Sequence, residues 1–485
     1  MKKKSVNPNF LKKNLSMCMV RLARGAPIIA LLLILNRDQP AISRAPVTIT
    51  HGPIVGAVTE NSAKVFVRTN QAAGISVRFG TNSDLSGASE TATFNTYSSS
   101  DLTTQVPLGS LAPSTTYYLN VLVNGVSQLG VPYPHFKTFP AAGSNVPFKV
   151  VVLTDFSNAD SRSIPSTTTF IQAAAENPDF VFIGGDFDHT TPSGATEGEA
   201  RQNKRLMFRN LYGANMQGFV DNILYQYAVV HQWDDHDYGD NNANKEYLWK
   251  QVSLEVFKEY FPAYPVTQYG IWQKFRYGQA EFFVLDTRSQ RDLNRQKDSW
   301  TESMLDGDNL GSEGQLEWLK NGLLSSTATW KFVMTSVVWN PTTAKADAWS
   351  SFQNERNQLL SFINNNNIRR VIFVSGDSHF GGIDDGTYAG KPEMLVPSVN
   401  LASPHGGSCV DGKAESMGTW SVGTYGNPGW SECQGYGVIT VGTNPDSLTL
   451  EVKDKDGNTK IRWDMFVHDD GDVVDAFDFR HRILR

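Results

Sequence analysis

The chain has no excess of positive charge: 43 lysines and arginines face 49 aspartates and glutamates, a formal net of −6. Seven of the basic residues (Lys2, Lys3, Lys4, Lys12, Lys13, Arg21 and Arg24) fall within the first 25 positions, which hold no acidic residue. The rest of the chain therefore sets 36 basic against 49 acidic residues, a net of −13. A body of that sign repels the phosphate backbone of DNA or RNA, so a general nucleic-acid binder is not expected. Also lacking is an apolar run long enough to span a membrane. The run Ala26 to Leu35 (APIIALLLIL) has ten residues, against roughly 20 for a spanning helix. Behind a basic start this length suits the apolar part of a secretory signal. No A-x-A cleavage site follows, and Asn36-Arg37-Asp38 stands there instead. Residues 1–45 are read as a signal peptide or an N-terminal anchor, and the protein as secreted, periplasmic or cell-surface. Membrane association is expected only through that segment if it is not removed.

Cysteine is scarce, with three in 485 residues. Cys18 lies in the leader, which leaves Cys409 and Cys433 at the ends of a Gly/Ser-rich stretch with little apolar content. A disulfide between them, worth about 3 kcal/mol through loop closure, suits an oxidising compartment; two unrelated buried thiols are the alternative. Neither repeats nor disorder-promoting bias are present. The composition is 40% hydrophobic and 11% aromatic, ample for large cores, and the length leaves room for two or three domains at roughly 150 residues each.

From residue 46 to 140 short strands are punctuated by turns: PIVGAV, AKVFVRT, GISVRFG, TYYLNVLVNG and PHFKTF. Within L-x-P-x-T-x-Y-x-L-x-V, the alternation of Tyr117, Leu119, Val121 and Val123 predicts one buried face, as in a sandwich strand. This run resembles the tyrosine corner of fibronectin type III and related sandwiches. FPAAGSNVP at 139–147 reads as a linker. Beyond it, from 147 to 485, apolar runs (FKVVVL, DFVFIGG, YQYAVV, EFFVLD, WKFVMTS, RRVIFVSG) alternate with helical segments at 197–212, 244–260, 312–324 and 352–363. That alternation predicts an α/β layered domain with a largely buried sheet. DKDGN near the C-terminus lacks calcium-loop spacing and reads as a hairpin turn.

Four of these strands end at carboxylates. VVVLT leads to Asp155; VFIGG leads to Asp186, with Asp188 and His189 close behind; AVVHQW leads to Asp234-Asp235-His236-Asp237; VIFVSG leads to Asp377, with His379 two residues on. Ligands of open α/β sheets bind at the carboxyl ends of strands, so the four loops are expected to converge. A single Asp at a strand end is commonly a cap, but four, three of them with histidine nearby, point to a site. So many buried carboxylates repel one another unless cations bind among them. Mixed Asp/His donors favour Fe, Mn or Zn, with Ca admissible at one position, and a carboxylate-bridged pair of ions is a clamp for in-line attack on phosphorus.

The order D…GGDFDH…WDDHD…SGDSH resembles the calcineurin-like metallophosphoesterases, and more closely the PhoD-like alkaline phosphatases and phosphodiesterases, over roughly residues 46–485. The resemblance implies a metallophosphoesterase-type α/β catalytic domain preceded by a small all-β fibronectin/Ig-like sandwich. Carried over by position, it implies that Asp155, Asp186, His189 and His379 bind one metal, that Asp186 bridges, and that Asp235 and Asp377 bind the second. It implies that His236 contacts phosphate and protonates the leaving group, with Asp234 and Asp237 as supporting partners that orient it. His231 reads as a core residue, and Asp188 is open between ligand and support. LDTRSQR also resembles a PhoD-like segment, in which Arg288 and Arg291 would hold non-bridging oxygens; a salt bridge to Asp286 or another loop carboxylate is the alternative. Two departures stand out. Family members with a ferric–tyrosinate site place Tyr where this chain has His189, and no matching cysteine ligand is evident. The histidine ligand usual after the strand WKFVMTS is replaced by Ser336-Val337-Val338-Trp339-Asn340, so the second metal is expected to be under-coordinated, weaker, or completed by Asn340 or Asn241; Asn241 is also a candidate, with Arg291, for binding the substrate.

The expected function is hydrolysis of small phosphate esters by attack of a metal-bound hydroxide between two metal ions, with His236 assisting departure of the alcohol and no Ser, Thr or Cys nucleophile. A phosphodiesterase or phospholipase-D-like action is a second expectation, with Trp420, Tyr425 and Trp430 as a substrate rim or as packing. A non-catalytic cell-surface binding protein on the same scaffold is a third.

Overall fold

Strands rich in Val, Ile and Phe dominate the N-terminal third, as β-branched and aromatic side chains suit a pleated, half-buried surface. The computed structural model describes residues 45–156, 167–189, 193–213, 216–293, 302–343, 347–400, 417–426, 433–443, 446–467 and 473–475. Residues 1–44, with the segment read as a signal peptide or anchor, and Cys409 lie outside these; Cys433 is disulfide-bonded. Nine strands open the described chain: β1 (Ile49–Gly56), β2 (Ala63–Thr69), β3 (Gly74–Gly80), β4 (Ser89–Glu90), β5 (Phe94–Asn95), β6 (Thr103–Leu108), β7 (Thr116–Val123), β8 (Val126–Ser127) and β9 (His135–Lys137). Strands β3, β4, β5, β7, β8 and β9 form one antiparallel sheet. Tyr117, Leu119, Val121 and Val123 are buried along β7, and the Tyr117 hydroxyl accepts the backbone N–H of Ala112 at 2.9 Å. That bond back to the preceding loop is the tyrosine-corner contact.

The remaining elements alternate. They are β10 (Phe148–Leu153), α1 (Thr167–Ala175), β11 (Phe180–Ile183), α2 (Glu197–Leu211), the short α3 (Gln217–Phe219), β12 (Val229–His231), α4 (Asp235–Tyr238), α5 (Lys250–Tyr260), β13 (Gln273–Tyr277), β14 (Ala280–Val284), α6 (Gln315–Ser325), β15 (Trp330–Met334), α7 (Gln353–Asn365), β16 (Val371–Ser375), β17 (Gly381–Asp384), β18 (Glu393–Leu395), β19 (Gly423–Tyr425), β20 (Gly435–Thr443), β21 (Asp446–Asp454), β22 (Thr459–Val467) and β23 (Val473–Asp475). They build two large sheets, in the orders β23-β22-β21-β20-β10-β11-β12-β1-β2-β6 and β13-β14-β15-β16-β18-β17-β19. Alternate residues of β10 and β11 (Val150, Val152, Phe180, Phe182) pack against Phe282, Val284, Phe332 and Val374 of the opposing sheet. The residues between them (Val151, Leu153, Val181, Ile183) pack against α1, α2 and α5. On the far side Phe283, Val333 and Phe373 pack against α6 and α7. The layers therefore run helix, sheet, sheet, helix, with two buried sheets where the apolar runs alone suggested one. Among the described residues no helix is long and apolar enough to cross a membrane.

Three features go beyond what the sequence pattern indicated. The first sheet is shared with the N-terminal strands: β1 pairs with β12 in parallel, Gly56 opposite Val229. A Cβ at Gly56 would lie 2.4 Å from the Pro262 carbonyl and 2.9 Å from that of Val229, so only glycine admits the junction. Next, the segment read as a linker is anchored, because Phe139 is buried against Phe180, Phe275 and Tyr277 and Gly143 donates to Gly278. Finally, the helix expected from 244 begins at Lys250, and the residues before it form turns. DKDGN is a hairpin turn between β21 and β22, with Gly457 at φ +85°.

Candidate metal centre

Strands β10, β11 and β12 lie side by side and parallel, so the loops bearing Asp155, Asp186 and Asp234–Asp237 leave at one edge. Strand β16 of the second sheet delivers Asp377 and His379 to the same place. Gln232 ties the two sheets there, donating to the carbonyls of Leu285 at 2.7 Å and Met334 at 2.9 Å. Asp155, Asp186, Asp377 and His379 all have left-handed backbone, with φ of 56°, 54°, 68° and 59°, a conformation that Asp and His tolerate better than most residues. Gly185, at φ +100°, lets the Asp186 loop cross that of Trp233-Asp234; a Cβ there would meet the Asp234 nitrogen at 2.6 Å.

Ligand atoms within 4.8 Å of one another form three groups: Asp155, Asp186, His189 and His379; Asp186, Asp235 and His236; and Asp186, Asp234, Asp235 and Asp377. Asp186 belongs to all three. Its burial, then the charges of Asp235, Asp234, Asp155 and Asp237, push its carboxyl well above the usual carboxylate range. Burial, then the His379 and His236 charges, pushes the His189 imidazole down to about 3. His189 Nδ1 lies 2.9 Å from the Phe156 carbonyl, an acceptor only, so Nδ1 carries the proton and Nε2 a lone pair. That Nε2 faces His379 Nε2 at 3.1 Å and Asp186 Oδ2 at 3.6 Å. Asp155 Oδ1 is buried without a hydrogen bond, 3.4 Å from His379 Nε2. Lone pairs and orphaned carboxylate oxygens converging this closely fit one or more cations, and mixed N/O donors fit first-row ions.

The loops are held from behind. Asp237, which is buried, accepts the backbone N–H groups of Asp186 at 2.6 Å, Phe187 at 2.8 Å and Asp234 at 3.0 Å. Burial still pushes its carboxyl up to about 8, against those three donors. Arg288, 0% exposed, places Nε 2.5 Å from Asp234 and Nη2 3.3 Å from Asp347, 3.8 Å from Asp235 and 3.9 Å from Asp377. Burial works against its charge, but those carboxylates hold its pKa well above the usual value. Ser336 also donates to Asp234, at 2.7 Å, which is where the strand without a ligating histidine reaches the site. Asp234 itself is pushed upward by burial and by Asp235, with Arg288 and Ser336 pulling the other way.

The structure thus brings Asp155, Asp186, His189, Asp235, His236, Asp377 and His379 together, and adds Asp234 to the carboxylates at the second position. The Arg288 guanidinium pairs with Asp234 and Asp347; Asp286, the partner weighed from sequence, accepts the Arg288 backbone N–H at 3.0 Å rather than its guanidinium, along with Trp233, Ile271 and Ser289. Arg291 is likewise 0% exposed, its Nη1 on the Asp347 carbonyl at 3.1 Å. Asn241 is exposed in the turn after α4, while the neighbouring Asn242 N–H donates to Asp235 at 2.6 Å. Asn340 is withdrawn as a ligand: its oxygen caps Thr342 and its nitrogen donates to Thr419. His231 is a core residue, its Nε2 2.9 Å from the Tyr212 hydroxyl and its ring 4.5 Å from Phe261. Asp188 is buried beside the cluster. Trp420 and Tyr425 are packing, 7% and 4% exposed; Trp430 lies outside the described residues. Asp347 was missed, and as a lone Asp in a loop (KADAWS) it carries no pattern that would have marked it.

Comparison with known proteins places this geometry in context. Residues 159–452 match the model of the PhoD-like phosphatase family, and residues 47–142 match a domain of unknown function, DUF7800. Alkaline phosphatase D of Bacillus subtilis (strain 168) is 26% identical over 324 residues, 55% of this chain. The match spans about half, 54%, of that relative's length. Among solved structures, one titled as PhoD superposes with a TM-score of 0.66 at 20% identity, covering 87% of this chain and 91% of that one. A purple acid phosphatase from yellow lupin (Lupinus luteus) seeds superposes at 0.57 and 14% identity, over 85% and 73%. Since the family model takes in more than half of the sequence, including every residue of the cluster except Asp155, the chain belongs to the PhoD-like phosphatase family.

Proposed function

We propose that the protein is an exported, metal-dependent phosphoric ester hydrolase of the alkaline phosphatase D type, acting on small phosphate esters at the cluster around Asp186. The observation that carries this reading is the presence of Asp186 in all three candidate ligand groups, so that its carboxylate could serve more than one ion. Asp155, His189 and His379 would complete one ion's ligands, and Asp235 and Asp377 the other's, with Asp234 at the same group. Bound ions supply the positive charge that draws in phosphoryl oxygens and the acidity that readies a water for attack. His236 stands beside Asp186 and Asp235, its Nδ1 buried without a hydrogen bond, and delivers a proton to the departing alcohol oxygen. Arg288 Nη1 and Arg291 Nε and Nη2 are buried donors without partners; they offer N–H groups to the non-bridging oxygens. Asp237 and Arg288 hold the ligand loops in register.

Asp186→Asn tests the reading. Metal content by elemental analysis and turnover of a nitrophenyl phosphate monoester are expected to fall together. Full turnover by the variant with its metal still bound rejects the assignment. The rate on the bis-nitrophenyl diester, set beside that on the monoester, decides which ester class is preferred.

A further inference from the structure

The residues that start β16 and β18 bound a second cavity, at the opposite end of those strands from Asp377 and His379. Its volume is ≈ 490 Å³, and its walls include Arg370, Asp385, Thr387, Lys391, Trp463 and Met465. Arg370 precedes β16, so at about 3.3 Å per residue the cavity lies roughly 20 Å along the strand from the metal-ligand loops. Lys391 precedes the parallel neighbour β18. Trp463 and Met465 project from alternate positions of β22, across the gap between the two sheets.

The charges in this cavity are unbalanced. Lys391 is half-buried, and that burial lowers its pKa; among the described residues its ammonium has neither a hydrogen bond nor an ion pair. The Arg370 guanidinium lies over the Trp330 ring at 5.8 Å, and its Nε is buried without an acceptor. The one acid, Asp385, is already engaged: its Oδ1 accepts the Thr387 N–H at 2.9 Å, the Thr387 hydroxyl at 2.6 Å and the Ser421 hydroxyl at 2.7 Å. Burial works against the Asp385 charge, but the Thr387 and Ser421 donors hold its pKa below the usual value, so two partly desolvated cations are set against one carboxylate turned to its own loop, in a lining that also holds an indole, a thioether and Pro392. Such a lining takes an oxyanion at one end and a flat apolar body at the other.

We propose that this cavity is a second ligand site, distinct from the metal centre, for a small organic phosphate or phosphonate that carries a flat ring. Arg370 and Lys391 bind the oxyanion, and Trp463 with Met465 receives the ring. The proposal does not depend on catalysis at the metal cluster.

Calorimetric titration of phenylphosphonate into the full chain tests it, with Asp186→Asn used to remove competition from the metal centre. Binding at one equivalent is expected to persist in Asp186→Asn and to weaken at least tenfold when Lys391→Glu or Trp463→Leu is added. Lys391→Glu alone is expected to leave nitrophenyl phosphate turnover unchanged, which also reports that the variant folds. Inorganic phosphate, lacking the ring, is expected to bind more weakly than phenylphosphonate. The proposal is overturned if Asp186→Asn binds no phenylphosphonate, if binding is indifferent to both cavity substitutions, or if inorganic phosphate binds equally well.

Discussion

Four residues of the cluster, Asp155, Asp186, Asp377 and His379, adopt left-handed backbone. Such conformations cost about 1–3 kcal/mol each and persist where the surroundings over-determine them. Here the determinants are visible: Asp237 takes the amides of Asp186 and Phe187, and the Asp155 N–H donates to the Gly185 carbonyl at 3.1 Å. Side chains positioned this way are legible in sequence, because each follows an apolar run that can only be a buried strand. Asp347 and the pairing of Arg288 were not, since which loop carboxylate meets an arginine depends on loop paths that no local pattern encodes. His236 is the residue whose role a single substitution isolates. As a proton donor to the leaving group, it matters most when that group is a poor one. His236→Asn is therefore expected to lower kcat by about 10²–10⁴-fold on an alkyl phosphate and by less on a nitrophenyl phosphate, with metal content near that of the parent. An equal loss on both substrates would remove His236 from the acid role.

At the scale of elements, apolar periodicity located most strands, and the helices α2, α6 and α7, within a few residues. It failed where tertiary contacts overrode composition. The Pro/Gly/Ser segment at 139–147 has linker composition, yet Phe139 nails it to Tyr277 and Phe180. Helix α7 shows a comparable override, burying a carboxylate in its first turn. Glu355 accepts the amides of Met304 at 2.7 Å and Leu305 at 2.9 Å, while its other oxygen is buried without a hydrogen bond. Burial, with Asp306 and Asp292 adding to it, pushes the carboxyl up to about 7 against the pull of those amides. The folded pKa thus exceeds the unfolded one, so the group's contribution to stability is complete below pH ~4.5 and is lost as the pH rises through 7. The loss amounts to roughly 3 kcal/mol at alkaline pH. Glu355→Gln removes the titration. Urea unfolding at pH 5 and pH 8 is expected to show the variant gaining on the parent at the higher pH; parallel profiles for the two proteins would mean that Glu355 stays ionised in the fold.

For the molecule as a whole, the carboxylate–histidine cluster spans a seam. Asp155, Asp186 and Asp235 follow strands of the ten-stranded sheet, and Asp377 and His379 follow β16 of the other. The seam was not legible in the sequence: apolar runs say that strands are buried, not how they divide between two sheets. The sharing of one sheet with β1, β2 and β6 depends on a single parallel contact at Gly56 and Val229, between residues far apart in the chain. On the proposed ligand set, ions bound there link the two sheets directly and offset the repulsion that raises the Asp186 pKa. A species that binds the folded state alone stabilises it by RT ln(1 + [L]/Kd), about 4 kcal/mol at a thousandfold excess over Kd. Chelation is therefore expected to lower the thermal midpoint of the parent protein, with re-addition of metal restoring it. Asp186→Asn should melt at the same temperature with or without chelator, because it has lost the shared ligand. A parent protein that melts identically in both conditions would show that the ions contribute chemistry but do not hold the sheets together. Folding stability would then rest on the core between the sheets, where Phe180, Phe282, Phe332 and their neighbours interlock.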